Sequence, residues 1–537
     1  MSCEVFARTW ATTVHEHGER PFLVFCSETS GVTQWSYREF DAIVGKVARS
    51  LTDAGVRPGT SVHVVLRNCP AFVALWLAAA RLRACLVPVD PASSARDVAR
   101  QVDRVRPVVG VCGVPRADIY RAGAGDAVPL LFVLAEDASD LDSGACLVRG
   151  DGAAPGADAT PSDRLSVMFT SGTTSEPKGV VLTQGNYAHV AATMAQAVDL
   201  RPHHRWFVTL PLFHANAQYY CFAPAIAIGA SVALAATFSA SGWVAQAREL
   251  EVTHASLFAA PIRMILARCP GDIEPLTLEH VWFAQNLGAE HYERFAELVG
   301  TRPRQLYGLT ESVAVVCADT SDTPRADVIG RPLGRRIRVE SPGTDRPADI
   351  DEPGMLSVCG TPGIDLFLEY LDDPEATAGA LHTADGDTWF STGDVVATDT
   401  EGVVRFIGRA DDVVKVAGEN VSLTAVEATV AQAPGVLEAA VVARPDPVRD
   451  VVPVAYIVAR DPSDPPQPAQ LAAWAAENLA PSARPHDWVL VDALPRTSVG
   501  KIRRFQIASA AAPPDADRAA GPDTSTDLHP TARGVHL

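Results

Sequence analysis

The chain has 537 residues, of which 47% are hydrophobic and 20% are charged, and its formal net charge at pH 7 is -19. These proportions are typical of a globular protein, and the length suffices for about three or four cores. The negative charge repels phosphate backbones and anionic lipid, which argues against nucleic acid and against a membrane surface as partners.

The cysteines and the N-terminal segment bear on the compartment. The ten cysteines form no C-x-x-C pair, and the histidines include no H-E-x-x-H. We therefore expect reduced thiols in the cytoplasm and no structural zinc. Residues 1–25 lack the apolar run of a secretory signal.

The N-terminal part of the chain, up to about residue 150, alternates between helical and strand patterns. Residues 37–54 and 71–83 carry apolar side chains at helical spacing, and residues 61–66 and 84–87 favour strands. This alternation predicts a largely parallel sheet with helices on its faces.

The segment at 150–162, rich in Ala, Gly, Asp and Pro, is predicted to be a linker or surface loop. It leads to the sequence FTSGTTSEPKGVVLT at 169–183, which lies between two strand-like runs at 165–169 and 180–182. Hydroxyls and bare amides can wrap a polyanion, glycine lets the backbone approach closely, and Lys178 supplies a positive charge. The pattern predicts a phosphate-binding loop.

This loop differs from the G-x-x-x-x-G-K-[ST] motif of P-loop NTPases. Gly172 and Lys178 fit that spacing, but Pro177 replaces the second glycine and Gly179 replaces the final hydroxyl. Pro177 also disfavours helix at Glu176, whereas the P-loop motif opens a helix. The P-loop interpretation therefore fails.

The next segment is predicted to be buried scaffold. Apolar residues at 187, 190, 191, 194 and 198 lie on one face of a helix. Residues 219–240 carry no charge and are long enough to span a bilayer. Pro224 and Gly229 divide them into a helix-sized piece and a strand at 231–235, which favours a buried element pair over a membrane span.

Two further motifs carry side chains suited to a nucleotide. The sequence QLYGLTES at 305–312 offers Glu311, a hard carboxylate suited to Mg2+, and Tyr307, an aromatic face suited to a purine. Asp394, in STGD, is either a turn residue or a carboxylate that accepts the two ribose hydroxyls.

The sequence FIGRADDVVKVAGENV at 406–421 indicates a domain boundary. Beyond it, a helix at 423–433 and strands at 437–442, 454–459 and 488–491 predict a small α+β domain. The basic sequence PRTSVGKIRR at 495–504 indicates an exposed loop. The composition of residues 511–537 cannot build a core and predicts a disordered tail.

Taken in order from residue 169 to residue 504, these motifs resemble the adenylate-forming superfamily of acyl-CoA synthetases, peptide-synthetase adenylation domains and firefly luciferase. The resemblance implies an α/β fold with a large, multi-subdomain N-terminal domain of mostly parallel sheets at 1–408. It also implies a hinge at 409–412 and a small, mobile α+β C-terminal domain at 413–510.

The resemblance also assigns roles to side chains. It implies that Glu311 binds Mg2+ and that Asp411 is the pivot of a domain rotation. Lys501 and Thr310 would act on the reacting carboxylate and phosphate, and His214, in PLFH, would gate or position the substrate. ATP and AMP would be bound by Thr170, Ser171, Gly172, Thr173, Thr174, Lys178, Tyr307, Asp394 and Arg409.

The acyl and pantetheine sites depart in part from the family pattern. Segments 258–262 and 282–287 fall where related enzymes line the acyl pocket, although each also fits a buried strand. Ala417 replaces the first of two glycines common beside the pantetheine passage, which leaves Gly418 as the candidate there. The candidate pocket residues are Phe258, Ala259, Phe283, Ala284, Asn286 and Gly308.

The resemblance implies a stand-alone ligase that uses ATP, Mg2+ and coenzyme A to convert a carboxylic acid into its CoA thioester through an acyl-adenylate. No amino-acid-anchoring aspartate is evident in the pocket segments, and no carrier domain is attached. Three alternatives stay open: an enzyme that loads a separate carrier protein, a member that retains only one half-reaction, and a non-catalytic adenylate-binding protein.

Overall fold

The computed structural model describes residues 5–27, 31–149, 158–170, 177–269, 273–344, 346–416, 419–446, 450–496, 502, 504, 506 and 507. The chain divides into two compact units, Met1–Phe406 and Ile407–Leu537. This division lies two residues before the domain end expected at residue 408. The tail predicted at 511–537 lies outside the described residues.

The helices and strands are numbered in chain order. The α-helices are α1 Phe6–His17, α2 Tyr37–Asp53, α3 Pro70–Leu82, α4 Ala95–Val105, α5 Ala117–Ala124, α6 Gln184–Ala197, α7 Ala223–Ile228, α8 Trp243–Glu249, α9 Ala259–Arg268, α10 Ala289–Val299, α11 Pro374–Ala380, α12 Leu423–Val430 and α13 Pro468–Asn478. A π-helix, Asn216–Phe222, precedes α7.

The strands of the larger unit are β1 Pro21–Ser27, β2 Gly31–Ser36, β3 Ser61–Val65, β4 Cys85–Pro88, β5 Val109–Gly113, β6 Leu131–Leu134, β7 Arg164–Thr170, β8 Lys178–Thr183, β9 Arg205–Val208, β10 Ser231–Ala235, β11 His254–Phe258, β12 His280–Ala284, β13 Arg304–Tyr307, β14 Cys317–Ala318, β15 Arg331–Pro332, β16 Ile337–Glu340, β17 Gly354–Gly360, β18 Glu369–Tyr370, β19 Leu381–Ala384 and β20 Asp387–Thr398. Along the chain, β21 Val404–Arg409 crosses from one unit to the other. The remaining strands are β22 Val413–Val416, β23 Glu419–Ser422, β24 Val436–Asp446, β25 Asp450–Ala459 and β26 Asp487–Leu490.

Two mostly parallel sheets form the framework of the larger unit. The first has the order β15-β14-β13-β12-β11-β9-β10-β1-β2 and is parallel from β13 to β1. The second has the order β18-β8-β7-β4-β3-β5-β6 and is parallel from β7 to β6, whereas β8 and β18 are antiparallel additions at one end. An antiparallel sheet, β16-β17-β20-β19, completes the unit.

The main core combines side chains of both parallel sheets with those of α1, α2, α3, α6 and α7. Helix α3 is the clearest case, because nearly all of its residues are buried and it offers no polar face. A helix that is apolar all round must be covered on every side. The helices of this core therefore lie at the centre of the unit, where side chains of both sheets cover them.

The strand and helix predictions for residues 37–87 are confirmed, with bounds that shift by one residue or two. The uncharged run at 219–240 is also divided as predicted, since α7 ends at Ile228 and β10 follows. Among the described residues, we find no helix with both the length and the apolar character needed to cross a membrane.

The alternative interpretation of residues 258–262 as a buried strand is wrong, because β11 ends at Phe258 and α9 begins at Ala259. Pro261 is tolerated there because the first turn of a helix needs no amide donor. A short apolar run by itself cannot distinguish a strand from a buried helical turn.

The smaller unit is an α+β arrangement, as predicted. Strands β24, β25 and β26 form one sheet, β22 and β23 form a hairpin, and α12 and α13 pack with them around a core of valine, alanine, leucine and isoleucine. Arg504 binds Glu427 of α12 at 2.8 Å and Asp412 at 3.4 Å. These ion pairs attach the C-terminal end of the described chain to the body of the unit.

Candidate active site

Three neighbouring parallel strands end at one edge of the first sheet and bring several candidate residues together. Phe258, at the end of β11, lies opposite Ala284, at the end of β12, and Phe283 lies opposite Gln305 of β13. Tyr307 therefore ends β13 at the same edge. The carboxyl ends of parallel strands are where open α/β sheets bind ligands.

The predicted phosphate loop joins the antiparallel strands β7 and β8. Thr170 pairs with Lys178, and its hydroxyl donates to the Lys178 carbonyl oxygen at 3.4 Å. Arg104 donates to the carbonyl oxygen of Pro177 at 2.7 Å, and its guanidinium lies 5.3 Å from the ring centroid of Phe169. Both ends of the loop are thereby fixed, whereas Ser171, Gly172, Thr173 and Thr174 lie outside the described residues.

Tyr370 connects the loop lysine with the predicted metal ligand. The ammonium nitrogen of Lys178 lies 4.7 Å from the centroid of the Tyr370 ring. The Tyr370 hydroxyl donates to Oε1 of Glu311 at 3.1 Å. Although these three residues are far apart in sequence, the structure gathers them into one group, and we expect a negatively charged ligand beside Lys178 to lie close to Glu311.

The donor set around Glu311 is compatible with Mg2+. Glu311 offers a hard carboxylate that is 9% exposed, and its backbone oxygen accepts from the Phe367 amide at 2.8 Å. Magnesium in nucleotide sites is usually held by one or two protein carboxylates together with phosphate oxygens and water. A single fixed carboxylate beside a lysine fits that arrangement.

A second group joins the residues predicted to bind adenine and ribose. The hydroxyl of Tyr307 donates a hydrogen bond to Oδ2 of Asp394. Burial and the neighbouring Asp394 raise the pKa of Tyr307 well above its usual value of 10, so the phenol stays protonated as the donor. The Asp394 amide donates to the Thr392 hydroxyl at 3.1 Å, and that hydroxyl donates to the Leu356 carbonyl at 2.8 Å. Asp394 therefore lies within β20 and not in the turn that the sequence also allowed, and these two bonds fix its backbone.

The segment between Tyr307 and Val313 is tightly folded. A Cβ atom at Gly308 would lie 2.6 Å from the hydroxyl of Tyr220, so only glycine fits without displacement of that tyrosine. Tyr219 donates to the Thr310 carbonyl at 3.5 Å. Val313 has φ +63°, a strained value for a β-branched residue. Such strain persists where the surroundings determine the backbone, often at functional sites.

The PLFH segment is held by two buried amides. Asn68 donates to the Leu210 carbonyl at 3.1 Å and accepts from the Leu212 amide at 2.8 Å. Gln218 donates to the Leu212 carbonyl at 2.6 Å. The half-buried ring of His214 packs against Phe213 at 4.5 Å, just before the π-helix. Single π turns are frequent at functional sites.

The six candidate pocket residues do not all share one surface. Phe258 and Ala284 are half-buried at the strand ends, and Ala259 is buried in the first turn of α9. The Phe283 side chain lies in a separate apolar core, where its ring is 5.8 Å from that of Tyr292. Asn286 is exposed, and its side-chain oxygen accepts from the Gly288 amide at 3.0 Å. Phe258, Ala284 and Gly308 therefore lie at or beside the strand ends, and Asn286 lies two residues beyond the end of β12. Phe283 and Ala259 pack in the separate core.

The remaining candidates belong to the smaller unit. Arg409 ends β21, and Asp411 lies in a short 3-10 turn, Ala410–Asp412. Gly418 and Lys501 lie outside the described residues, although Ile502, next to Lys501, forms a bridge with Arg496.

The sequence did not identify three residues that contact the candidate site, namely Tyr370, Tyr220 and Asn68. No local pattern identifies them, because each acts on a segment distant in the chain. The only available signal was indirect: a buried polar side chain such as Asn68 needs a partner.

A group of three potential metal ligands lies elsewhere among the described residues. Ligand atoms of His203, His204 and Glu279 lie within 4.8 Å of one another. However, Nδ1 of His204 accepts from the Arg201 amide at 3.0 Å, so the ring proton resides on Nε2, which is 3.1 Å from Glu279. That proton occupies the position that a metal would need, and the group is a hydrogen-bonded pair with a neighbouring histidine.

The family model described as AMP-binding enzyme matches residues 10–371, and the one described as AMP-binding enzyme C-terminal domain matches residues 425–501.

Among curated proteins, the crotonobetaine/carnitine–CoA ligase of Salmonella paratyphi A (strain ATCC 9150 / SARB42) is 29% identical over 505 residues, which cover 92% of this chain and 96% of that protein. Two solved structures share the fold. The anthranilate CoA ligase AuaEII in complex with anthranoyl-AMP has a TM-score of 0.85 at 22% identity and covers 95% of this chain and 97% of its own. A benzoate CoA ligase from Burkholderia xenovorans LB400 has a TM-score of 0.81 at 22% identity and covers 94% and 99%.

Proposed function

The chain belongs to the AMP-binding enzyme family, and from this membership we propose that it is an ATP-dependent acyl-CoA ligase that forms AMP. The observation that carries the proposal is the grouping of Lys178, Tyr370 and Glu311, which sets a cation beside a carboxylate suited to magnesium. The names of the similar proteins, a CoA ligase for crotonobetaine or carnitine and one for anthranilate, support the same reaction class.

In the first half-reaction, a carboxylate oxygen of the acid attacks the α-phosphorus of ATP, and the bond from that phosphorus to the bridging oxygen of pyrophosphate breaks. The products are acyl-AMP and pyrophosphate. No general base is needed, because the acid is already ionised at neutral pH. Catalysis then consists mainly of positioning and of stabilising the negative charge that develops on the phosphoryl oxygens.

The phosphates are the part of ATP that this chain must hold most firmly. We assign Lys178 and the hydroxyls of Thr170, Ser171, Thr173 and Thr174 to the β- and γ-phosphates, with Gly172 allowing close backbone approach. Thr310 and Lys501 are assigned to the α-phosphate and the reacting carboxylate. Magnesium, held by Glu311, would neutralise phosphate charge when bound.

The nucleoside is assigned to the second group of residues. Tyr307 is assigned to adenine, and Asp394 and Arg409 are assigned to the ribose hydroxyls. The hydrogen bond from Tyr307 to Asp394 supports this assignment, because it couples the two recognition elements in the larger unit.

In the second half-reaction, the thiol of CoA attacks the acyl carbonyl carbon, the bond to the AMP oxygen breaks, and the thiol proton passes to solvent. We propose that rotation of the smaller unit about Asp411 withdraws Lys501 and opens a pantetheine passage beside Gly418. His214, at the PLFH segment, would gate or position the acyl carbonyl. Rate control by hinge motions of this kind is common among enzymes that close on their substrates.

The acyl group is assigned to the strand ends that carry Phe258, Ala284 and Gly308. Phe283 and Ala259 pack in a different core, so neither is assigned a direct contact with the acid. Asn286 stays a candidate, because its side-chain amide can form hydrogen bonds beyond the one it accepts from Gly288. We also propose a cytoplasmic location, on the cysteine pattern of the sequence.

Mass spectrometry of parallel reactions tests the proposal. One set contains the protein, Mg-ATP and a pool of diverse carboxylic acids, with and without CoA, and another contains preformed acyl-AMPs with CoA. We expect a new acyl-CoA together with AMP and pyrophosphate in the complete reaction. Acyl-AMP that never passes to CoA would instead indicate a carrier-protein acceptor. Thioester formed only from supplied acyl-AMP would contradict the adenylation step.

A further inference from the structure

The pairing of β18 with β8 determines where the Tyr370 side chain can reach. Tyr370 lies opposite Val180, and Glu369 lies opposite Val181. Lys178 is two residues before Val180, so it projects from the same face of β8 as the position facing Tyr370. Diagonal neighbours of this kind are within reach of an aromatic ring and a long side chain. The observed distance of 4.7 Å from the ammonium to the ring centroid follows from this register.

Several contacts keep Tyr370 in place. Its amide donates to the Thr377 hydroxyl at 2.9 Å, and its ring lies 4.7 Å from that of Phe367. Arg104 donates to the carbonyl oxygens of Pro177 and Leu371 at 2.7 and 2.9 Å, which ties the start of β8 to the residue after Tyr370. These contacts hold the ring at its place beside β8.

From this geometry we propose that Tyr370 is a positioning residue that holds Lys178 and Glu311 at a defined separation for the polyphosphate of the nucleotide. This inference rests on the proposed function. The ring acts on Lys178 by attracting the ammonium group to its face. The hydroxyl acts on Glu311 by a hydrogen bond that orients the carboxylate. Tyr370 itself takes no part in bond making.

The two actions belong to different atoms of one side chain and can be separated by substitution. Tyr370→Phe keeps the ring beside Lys178 but removes the donor to Glu311. Tyr370→Leu removes both. ATP binding without metal depends on the position of Lys178, whereas the Mg2+ concentration needed to tighten ATP binding depends on the orientation of Glu311.

Tyr292 supplies a matched control. Its hydroxyl donates to the carbonyl oxygens of Pro303 and Pro324 at 2.8 and 3.0 Å, and the guanidinium of Arg302 lies 5.1 Å from its ring centroid. Tyr292 therefore combines a cation contact and buried hydroxyl bonds, as Tyr370 does, but it contacts neither Lys178 nor Glu311. Tyr292→Phe and Tyr292→Leu measure the general effect of losing such a side chain.

The experiment is isothermal titration calorimetry of ATP with wild type and the four variants, first in EDTA and then over a series of Mg2+ concentrations. For Tyr370→Phe we expect an unchanged Kd for metal-free ATP. The Mg2+ concentration that gives half of the full increase in ATP affinity, called the Mg2+ midpoint, should rise about tenfold. For Tyr370→Leu we expect the same rise together with metal-free binding that is about three- to tenfold weaker. The Tyr292 variants should match wild type in both measurements.

The outcomes distinguish this inference from the proposed function. If wild type binds no ATP, the proposed function fails. If wild type binds ATP and Tyr370→Phe shows an unchanged Mg2+ midpoint, the role of the hydroxyl is refuted, and this result is available even if Tyr370→Leu fails to fold. Equal loss of metal-free binding in both Tyr370 variants, or equal shifts in the Tyr292 variants, would also overturn the inference.

Discussion

The hydroxyl of Tyr307, at the end of β13, donates a hydrogen bond to the buried carboxylate of Asp394 in β20. The two residues belong to different sheets, and Asp394 is only 3% exposed. A buried carboxylate needs hydrogen-bond donors to offset its desolvation, and Tyr307 supplies one. The residue assigned to adenine is thereby coupled to the residue assigned to ribose.

The first prediction concerns this bond. We expect Tyr307→Phe to weaken AMP binding by about tenfold or more, because a hydrogen bond to a charged group contributes about 1.5–3 kcal/mol and its loss releases the Asp394 carboxylate from its position. Calorimetry with AMP measures the effect. Tyr37→Phe is the control, since Tyr37 donates to the carbonyls of Ala225 and Ala230 and has no part in the site. Equal AMP affinity in wild type and Tyr307→Phe would contradict the coupling.

The second prediction concerns the separation of the half-reactions. Lys501→Ala should lower the rate of adenylation by about two to three orders of magnitude, the scale of one removed electrostatic donor. Thioester formation from supplied acyl-AMP should change much less, because the lysine is assigned to the first half-reaction alone. Lys46→Ala, on α2, controls for loss of a lysine. Quenched-flow measurement of each half-reaction gives the result, and equal losses in both would refute the assignment.

The third prediction concerns the contact between Gly308 and Tyr220. Gly308→Ala places a Cβ atom 2.6 Å from the Tyr220 hydroxyl and 3.3 Å from the Ala314 carbonyl oxygen, and overpacking of this kind costs about 1–3 kcal/mol of stability. We also expect a higher KM for the acid, because the displaced tyrosine lies beside the assigned acyl site.

A double-mutant cycle checks this clash. Tyr220→Phe removes the hydroxyl and should recover part of the stability and of the KM in the Gly308→Ala background, while it has little effect alone. Additive effects of the two substitutions on the free energy of unfolding would show that the hydroxyl is not what the new methyl group meets.

The fourth prediction concerns acid stability. His254 and His280 are buried and adjacent in register on β11 and β12. Burial lowers the pKa of His254 to about 3 and that of His280 well below its usual value of 6.5. Below about pH 6.5, the unfolded chain binds protons that the folded chain excludes, so the free energy of unfolding falls as the pH decreases. Each histidine contributes a slope of up to about 1.4 kcal/mol per pH unit.

Denaturant unfolding between about pH 7 and about pH 5 measures this slope. His280→Leu fills the space of the buried imidazole with an apolar side chain that cannot bind a proton. It should therefore reduce the dependence of the unfolding free energy on pH by up to about 1.4 kcal/mol per pH unit. His15→Leu, on the exposed side of α1, should leave this dependence unchanged. A slope in His280→Leu identical to that of wild type would show that His280 does not resist protonation in the folded state.

The chemistry proposed for the candidate site comes largely from the sequence alone. Phosphate, magnesium and purine each require particular side chains, and these occur in short contiguous motifs around Lys178, Glu311 and Tyr307. The division into a large and a small α/β unit was also predictable, because helix and strand periodicities are local properties of the chain.

The tertiary structure decided which of these groups act together. Tyr370 meets Lys178 because β18 pairs with β8, and it meets Glu311 where the segment before β18 bonds to the Glu311 backbone; no local pattern specifies either contact. The same reason explains Phe283, whose place in a separate core follows from the alternation of side chains across β12 and from the layer packed against each face. Contacts between distant segments depend on strand register and packing, and those are properties of the whole fold.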